Sequence, residues 1–282
     1  MEPFFEITPT LDDFIYSLQQ LGLLGLLFLL LAMLVKGKKV LADIYQALPN
    51  TGFNLSLMLF NAVMLPPLLS IITIYMLKIE SPAALNHMWE ILPSFVVVFA
   101  AVFAGDFIGY WRHRLEHSRW LWPSHSIHHS DDKMTWLTLQ RFHPINRLST
   151  YIIDSSLLIM LGFPAYAVIA NNLIRHFYGY FIHADLPWSF GFWGKVFVSP
   201  TMHQWHHADE VQAYNTNFAT IFSLFDRAFG TYRVPGLCTI PLGVAKVTKL
   251  NLFSQLLYPF KPTSYFKSYK AKTLFKDNKT KI

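Results

Sequence analysis

The chain has 282 residues, of which 53% are hydrophobic, 16% aromatic and only 14% charged. Soluble domains carry about a quarter charged residues, so this composition excludes an ordinary soluble globule. A single cysteine, Cys238, excludes an intrinsic disulfide framework, iron–sulfur cluster or thiolate metal site, which leaves histidine and carboxylate to hold any metal. The net charge of +6 comes from residues 261–282, where Lys261, Lys267, Lys270, Lys272, Lys276, Lys279 and Lys281 face Asp277 alone. The rest of the chain is neutral, so the basic balance is no argument for nucleic acid. It reads as a cytoplasmic, lipid-facing tail, with a solubilising tail as the plain alternative.

Four apolar regions follow one another. The first runs from about Phe14 to Val35 and ends at Lys36, Lys38 and Lys39, long enough to cross about 30 Å of hydrocarbon. Glu2, Glu6, Asp12 and Asp13 precede it where a cleaved leader would carry positive charge. The second, Phe53 to Leu77, is broken by Pro66 and Pro67, as a kinked span or a re-entrant hairpin would be. The third, Ile91 to Tyr110, leads straight into histidines, and the fourth, Tyr151 to Ile182, is punctuated by Gly162-Phe163-Pro164 and reads as a helical hairpin. With the lysines after the first span placed inside, and the second segment crossing fully, His113, His183 and the basic tail all fall on the cytoplasmic face. The expected fold is an all-α, multi-pass transmembrane bundle of about four spans or hairpin equivalents, with a cytosolic helical cap holding a histidine-rich di-metal site. No repeat or linker stands out, so residues 1–282 read as one integral-membrane domain, with 106–235 as its histidine-rich region and 261–282 as its tail.

Eleven of the twelve histidines lie between His113 and His207. His113 and His117, four apart, share one face of a helix. His125, His128 and His129 form H-x-x-H-H, a spacing that puts three imidazoles on neighbouring parts of one helix surface, and His203, His206 and His207 repeat it. "HRLEH", His113 to His117, also fits the inverted zincin pattern H-x-x-E-H. A single zinc, however, uses three or four ligands, and a peptidase would leave both H-x-x-H-H boxes unexplained. Eight or nine imidazoles suit two metal ions with four or five ligands each, and nitrogen ligation accommodates iron, zinc or copper. A metal transporter or inactive metal-binding scaffold is the other alternative, although transport sites sit near the bilayer midplane rather than beyond the ends of the spans.

"HRLEH", "HSIHH" and "HQWHH", closed by "FSLFDRAFGTY", resemble the boxes of the fatty acid hydroxylase / sterol desaturase superfamily of integral-membrane di-iron oxygenases, over about Asp106 to Pro235. The resemblance implies metal ligation by His113, His117, His125, His128, His129, His203, His206 and His207. It adds His183 from "YFIHAD", and His143 from "RFHPIN", which is similar to a dipeptide of the sterol methyl oxidase branch. His176 has no counterpart and reads as structural or as a support for the ligands. Asp106, two turns before His113, could orient an imidazole or pair with Arg112, Arg114 or Arg147, and Asp209 and Asp226 are further candidates for supporting the ligands. Glu116 reads as an ion-pair partner of Arg112 or Arg119.

The resemblance implies a dioxygen-dependent monooxygenase that hydroxylates or desaturates an unactivated C–H bond of a fatty acyl, sterol or ether lipid. The cofactor would be two iron ions, replaceable by zinc. No flavin or nicotinamide fingerprint is present, so the electrons would come from a separate reductase, ferredoxin or b-type cytochrome, or from tetrahydrobiopterin as in the alkylglycerol monooxygenase branch. A bacterial inner membrane or endoplasmic reticulum location is expected, with the site on the cytoplasmic face and no nucleic-acid partner.

Overall fold

A computed structural model describes residues 11–244, Val247 and residues 251–265. Glu2, Glu6 and the lysines from Lys267 onward lie outside the described residues. The chain divides into two compact units, residues 1–46 and 47–282. In the first, α1 (Leu11–Lys36) turns through Gly37, whose φ of +59° suits a residue without a side chain, into α2 (Lys39–Met64). Lys36 closes this turn by donating to Asp43 at 3.0 Å.

The second unit is built from helices joined by irregular segments. Among the described residues it has no strand, only isolated bridges between Phe197 and Phe222 and between Ala208 and Leu242. The second apolar region is longer than its hydropathy suggested. α2 runs on from Lys39 through Pro49 and is bent by 54° against α3 (Pro66–Met76), because Pro66 and Pro67 offer no N–H to continue the ladder. After α4 (Ala83–Glu90), α5 (Ser94–Glu116) carries the third apolar region directly into the first histidine pair. The expected hairpin forms from α7 (Pro144–Met160) and α8 (Ala165–His183), with Gly162 at φ +77° in its turn. Short helices α6 (Trp122–His125), α9 (Pro200–His207), α10 (Leu224–Ala228) and α11 (Leu252–Leu256) lie among the polar segments.

Among the described residues two segments, Leu18–Lys36 and α5, are long and apolar enough to cross a membrane, or three if the bent α2–α3 pair is one span. α7 has 17 residues, and α8 carries Asn171, Asn172 and Arg175, so neither hairpin arm reads as a simple span.

α5 is the axis on which the site is built. Its Val97, Ala101 and Ile108 pack with Leu158 of α7 and Ala167 and Val168 of α8. Gly105 and Gly109, one turn apart, meet Asn171 and Arg175 of α8, where an added Cβ would collide with both side chains; the small-xxx-small spacing lets the two backbones approach. Higher up, Tyr110, Ile182, Met202, Phe218, Phe222 and Phe225 form an aromatic-rich core that fixes the 218–225 segment against α5 and α9.

Candidate metal centre

Nine histidines converge in two groups, and the boxes do not map onto the groups one to one. His113, His117, His125, His129 and His206 form one group, and His128, His183, His203 and His207 the other, with the ligand atoms of each group within 4.8 Å of one another. The i,i+4 pairs His113/His117, His125/His129 and His203/His207 each stay together. The third histidine of each H-x-x-H-H box crosses over, His128 joining the group of the later box and His206 that of the earlier one.

The crossing at His128 departs from the expected single helix surface. α6 ends at His125, and a separate 3-10 turn runs from His128 to Ser130. Ser124, Ser126 and Ser130 each donate a side-chain hydroxyl to the carbonyl three residues back, at 2.7–3.0 Å. Such bonds compete with a continuous helical ladder. The broken helix aims His128 at His183, with Nε2 atoms 3.1 Å apart, while His125 and His129 face each other at 3.2 Å.

The distances within the groups are those of a coordination shell. Nε2–Nε2 separations are 3.1 Å for His113–His125, 2.9 Å for His203–His183 and 3.2 Å for His207–His203. Nitrogens about 2.1 Å from one cation stand about 3.0–3.4 Å apart in octahedral or tetrahedral arrangements. Carbonyl oxygens fix the tautomers. His113 donates from Nδ1 to Phe218 O at 2.8 Å, His206 to Thr216 O at 2.7 Å and His183 to Gly179 O at 2.6 Å. A carbonyl only accepts, so these rings carry the proton on Nδ1 and turn an Nε2 lone pair inward, as metal-bound histidines do. Nε2 of His206 is buried and has no hydrogen-bond partner among the described residues; a cation is what such a lone pair lacks. Burial also keeps these rings neutral. Desolvation, reinforced by neighbouring imidazoles, holds His128, His129, His203 and His207 well below the ordinary imidazole range. The same burial brings His206 down to about 4. The donor set and its neutral state therefore fit two divalent metal ions.

Asp106 and Asp226 act one step further out than the sequence suggested. Asp106 accepts no imidazole N–H; it binds the backbone N–H groups of Thr220, Ile221 and Phe222 at 2.7–3.1 Å, and its arginine partner is Arg175, at 3.5 Å. Asp226 accepts from the N–H of Phe218 and Ala219 at 2.7 and 2.9 Å and from the Thr231 hydroxyl. Together they hold the 218–222 backbone whose Phe218 carbonyl orients His113. Asp209 is exposed and accepts from the Tyr214 hydroxyl. Glu116 is buried, accepts from Arg112 at 2.9 Å and Ser149 at 2.8 Å, and stands 3.5 Å from Nδ1 of His125. A carboxylate so engaged is poorly placed to act as a peptidase base.

His143 stands apart from both groups. It caps α7, its Nδ1 accepting from Ile145 N at 3.1 Å, while its Nε2 donates to Leu256 O at 3.0 Å, so backbone occupies both ring nitrogens. His176 joins neither group. It lines a cavity of about 510 Å³ that reaches His113, His125, His128, His183 and His203 between α3, α5, α7 and α8. Sequence reasoning missed Asn217, which sits at φ +58° and is pinned by bonds to Met202 O, Arg233 O and Arg233 N. The N-x-N in "YNTNF" was the available signal, since asparagine tolerates the left-handed region better than most residues.

Residues 97–231 match the family model described as fatty acid hydroxylase. The chain is similar to ornithine lipid hydroxylase OlsE of Rhizobium tropici, 28% identical over 179 residues covering 62% of this chain and 54% of that one. It is 30% identical over 159 residues to alkylglycerol monooxygenase of Danio rerio, covering 54% of this chain and 34% of that protein. It is also similar to methylsterol monooxygenase 1-1 of Arabidopsis thaliana, 26% identical over 257 residues, with 80% of this chain and 81% of that one covered. The chain thus spans about half the length of the first of these relatives and about a third of the second. No solved structure matches.

Proposed function

Through residues 97–231 the chain belongs to the fatty acid hydroxylase / sterol desaturase superfamily, and from that membership we propose that it is a membrane-bound, dioxygen-dependent oxidoreductase that hydroxylates or desaturates an unactivated C–H bond of a lipid. The observation that carries the proposal is the convergence of nine histidines into groups of five and four beside one cavity. In this reading His113, His117, His125, His129 and His206 hold one iron, and His128, His183, His203 and His207 the other. Two irons held there would supply the activation of dioxygen that breaking such a bond requires.

The chain's own residues bind, orient and exclude water. Phe218, Thr216 and Gly179 carbonyls keep the imidazoles facing inward. Apolar side chains of α3 and α8 line the cavity and shield the reacting carbon from side reactions. Residues 1–282 form one integral-membrane domain, in which α1, the bent α2–α3 pair, α5 and the α7–α8 hairpin lie in the bilayer. The histidine region forms a cytoplasmic cap. A ferredoxin, b-type cytochrome or reductase docks there to deliver electrons, unless tetrahydrobiopterin delivers them.

The test is comparative lipidomics of cells with and without the gene, together with metal analysis of the purified protein. A lipid shifted by the mass of one oxygen, or by the loss of two hydrogens, is expected only with the gene, and two metal equivalents are expected per chain. A single zinc with peptidase activity that Glu116→Gln abolishes would overturn the proposal.

A further inference from the structure

Three arginines line the cavity beneath the histidines, and they are not equivalent. Arg112 donates to Asp154 at 2.8 Å and to Glu116 at 2.9 Å, and Arg175 donates to Asp154 at 2.6 Å and lies 3.5 Å from Asp106. Arg147 has no carboxylate partner among the described residues. Its Nη2 is anchored to Leu139 O at 3.2 Å and Gln140 Oε1 at 2.6 Å, and no partner appears there for its Nε or Nη1. The guanidinium lies 5.1 Å over the ring of Phe142, which stacks at 4.2 Å on His128 of the four-histidine group. Arg147 is half-buried, and a guanidinium that lines a cavity without a counter-charge is a ready partner for an anionic oxygen group.

We propose that Arg147 is a specificity-determining residue, and that the cavity takes a single-chain or multi-chain amphiphile through an anionic oxygen group, carboxylate or phosphate. The anionic group sits on the open side of the Arg147 guanidinium, whose planar donors suit either oxyanion. The hydrocarbon leaves past Leu69 of α3 and the exposed Leu173 of α8, which both line the cavity. Both ends are thereby set. Arg147 and five of the nine histidines line one cavity of about 510 Å³, so the carbon presented to the histidines lies near the polar end of the lipid rather than at the far end of its chain. A sterol, with a hydroxyl as its polar group, leaves the guanidinium without a counter-ion.

What happens to that carbon rests on the proposed oxygenase reading; the binding preference does not. The experiment is equilibrium binding of radiolabelled hexadecyl phosphate, palmitate and hexadecanol to the metal-loaded full chain in a nonionic detergent. The wild type is expected to bind one or both anionic probes at least about tenfold more tightly than the alcohol, the range of a charge-assisted hydrogen bond. The tighter of the two names the headgroup. Arg147→Gln is expected to erase the difference while leaving hexadecanol binding and metal content unchanged, and Arg147→Lys to keep part of it. Equal affinity of the wild type for all three probes overturns the proposal, as does an Arg147→Gln protein with intact metal content that loses all three alike. Should Arg147→Gln not fold, the wild type and Arg147→Lys decide the matter, because a preference unaffected by losing the planar fork overturns it too. A chain with no oxygenase activity that still prefers the anions sinks only the reading of the metal site. Turnover of a neutral lipid without anion preference sinks only the role of Arg147.

Discussion

His128 and His206 are the two residues that tie the site together, because each is carried by one box and completes the group of the other. Removing either disturbs a single metal position, and the two positions differ. His206→Ala leaves four histidines in its group, whereas His128→Ala leaves three in its own. Metal analysis is therefore expected to find close to one equivalent per chain in His128→Ala and nearer two in His206→Ala, with lipid oxidation lost in both. Equal retention of two equivalents by both variants would contradict the assignment of the groups. The eight box histidines that spacing identified, with His183, are the nine that converge. Spacing did not show the crossing, because the divide between groups depends on where α6 stops, and that is decided by serine hydroxyls bonding to local carbonyls. Nor did spacing separate His143 from the true members of the groups. A histidine preceding proline is as good a helix cap as it is a ligand, and only the Leu256 carbonyl across the fold decides between the two.

At the scale of elements, the approach of α5 to α8 is what brings Arg175 within reach of both Asp154 and Asp106. Gly109 makes that approach feasible, and a Cβ there would occupy the space of the Arg175 guanidinium. An arginine side chain is ordinarily free to move aside, but this one is held by two buried carboxylates. Gly109→Ala is thus expected to cost about 1–3 kcal/mol through overpacking, and to loosen the 220–222 backbone that Asp106 holds. Gly22→Ala in α1, where nothing lies within 4 Å of the added Cβ, serves as the control and is expected to be neutral or slightly stabilising. Thermal unfolding in detergent compares the two; equal melting temperatures would mean that the α5–α8 contact relaxes without cost. The hairpin was legible from Gly162-Phe163-Pro164, and the α2–α3 bend from Pro66-Pro67. The N-terminal reach of α2 was not, because Pro49 and the polar residues around it mask a helix that continues through them.

For the whole molecule, the concentration of nine imidazoles in one dry region is a liability unless metal is bound. In the unfolded chain these rings take up protons as pH falls through about 6.5. In the folded chain burial suppresses protonation of His128, His129, His203 and His207 until well below that value, and of His206 until about 4. The unfolded state therefore binds more protons over this interval, and stability falls as pH drops. The contribution is fully present above about pH 6.5, and His206 alone accounts for about 3 kcal/mol of loss once pH is below both of its values. Metal-stripped protein is expected to show a melting temperature that declines steadily as pH falls from about 6.5 toward about 4. The metal-loaded protein should hold its melting temperature to lower pH, because protons must then displace the bound cations as well. Parallel melting curves across this range, with and without metal, are the measurement. A stripped protein whose stability is flat with pH would mean that the imidazoles are solvated rather than gathered in two dry groups, and the assignment of a di-metal site would lose its physical basis.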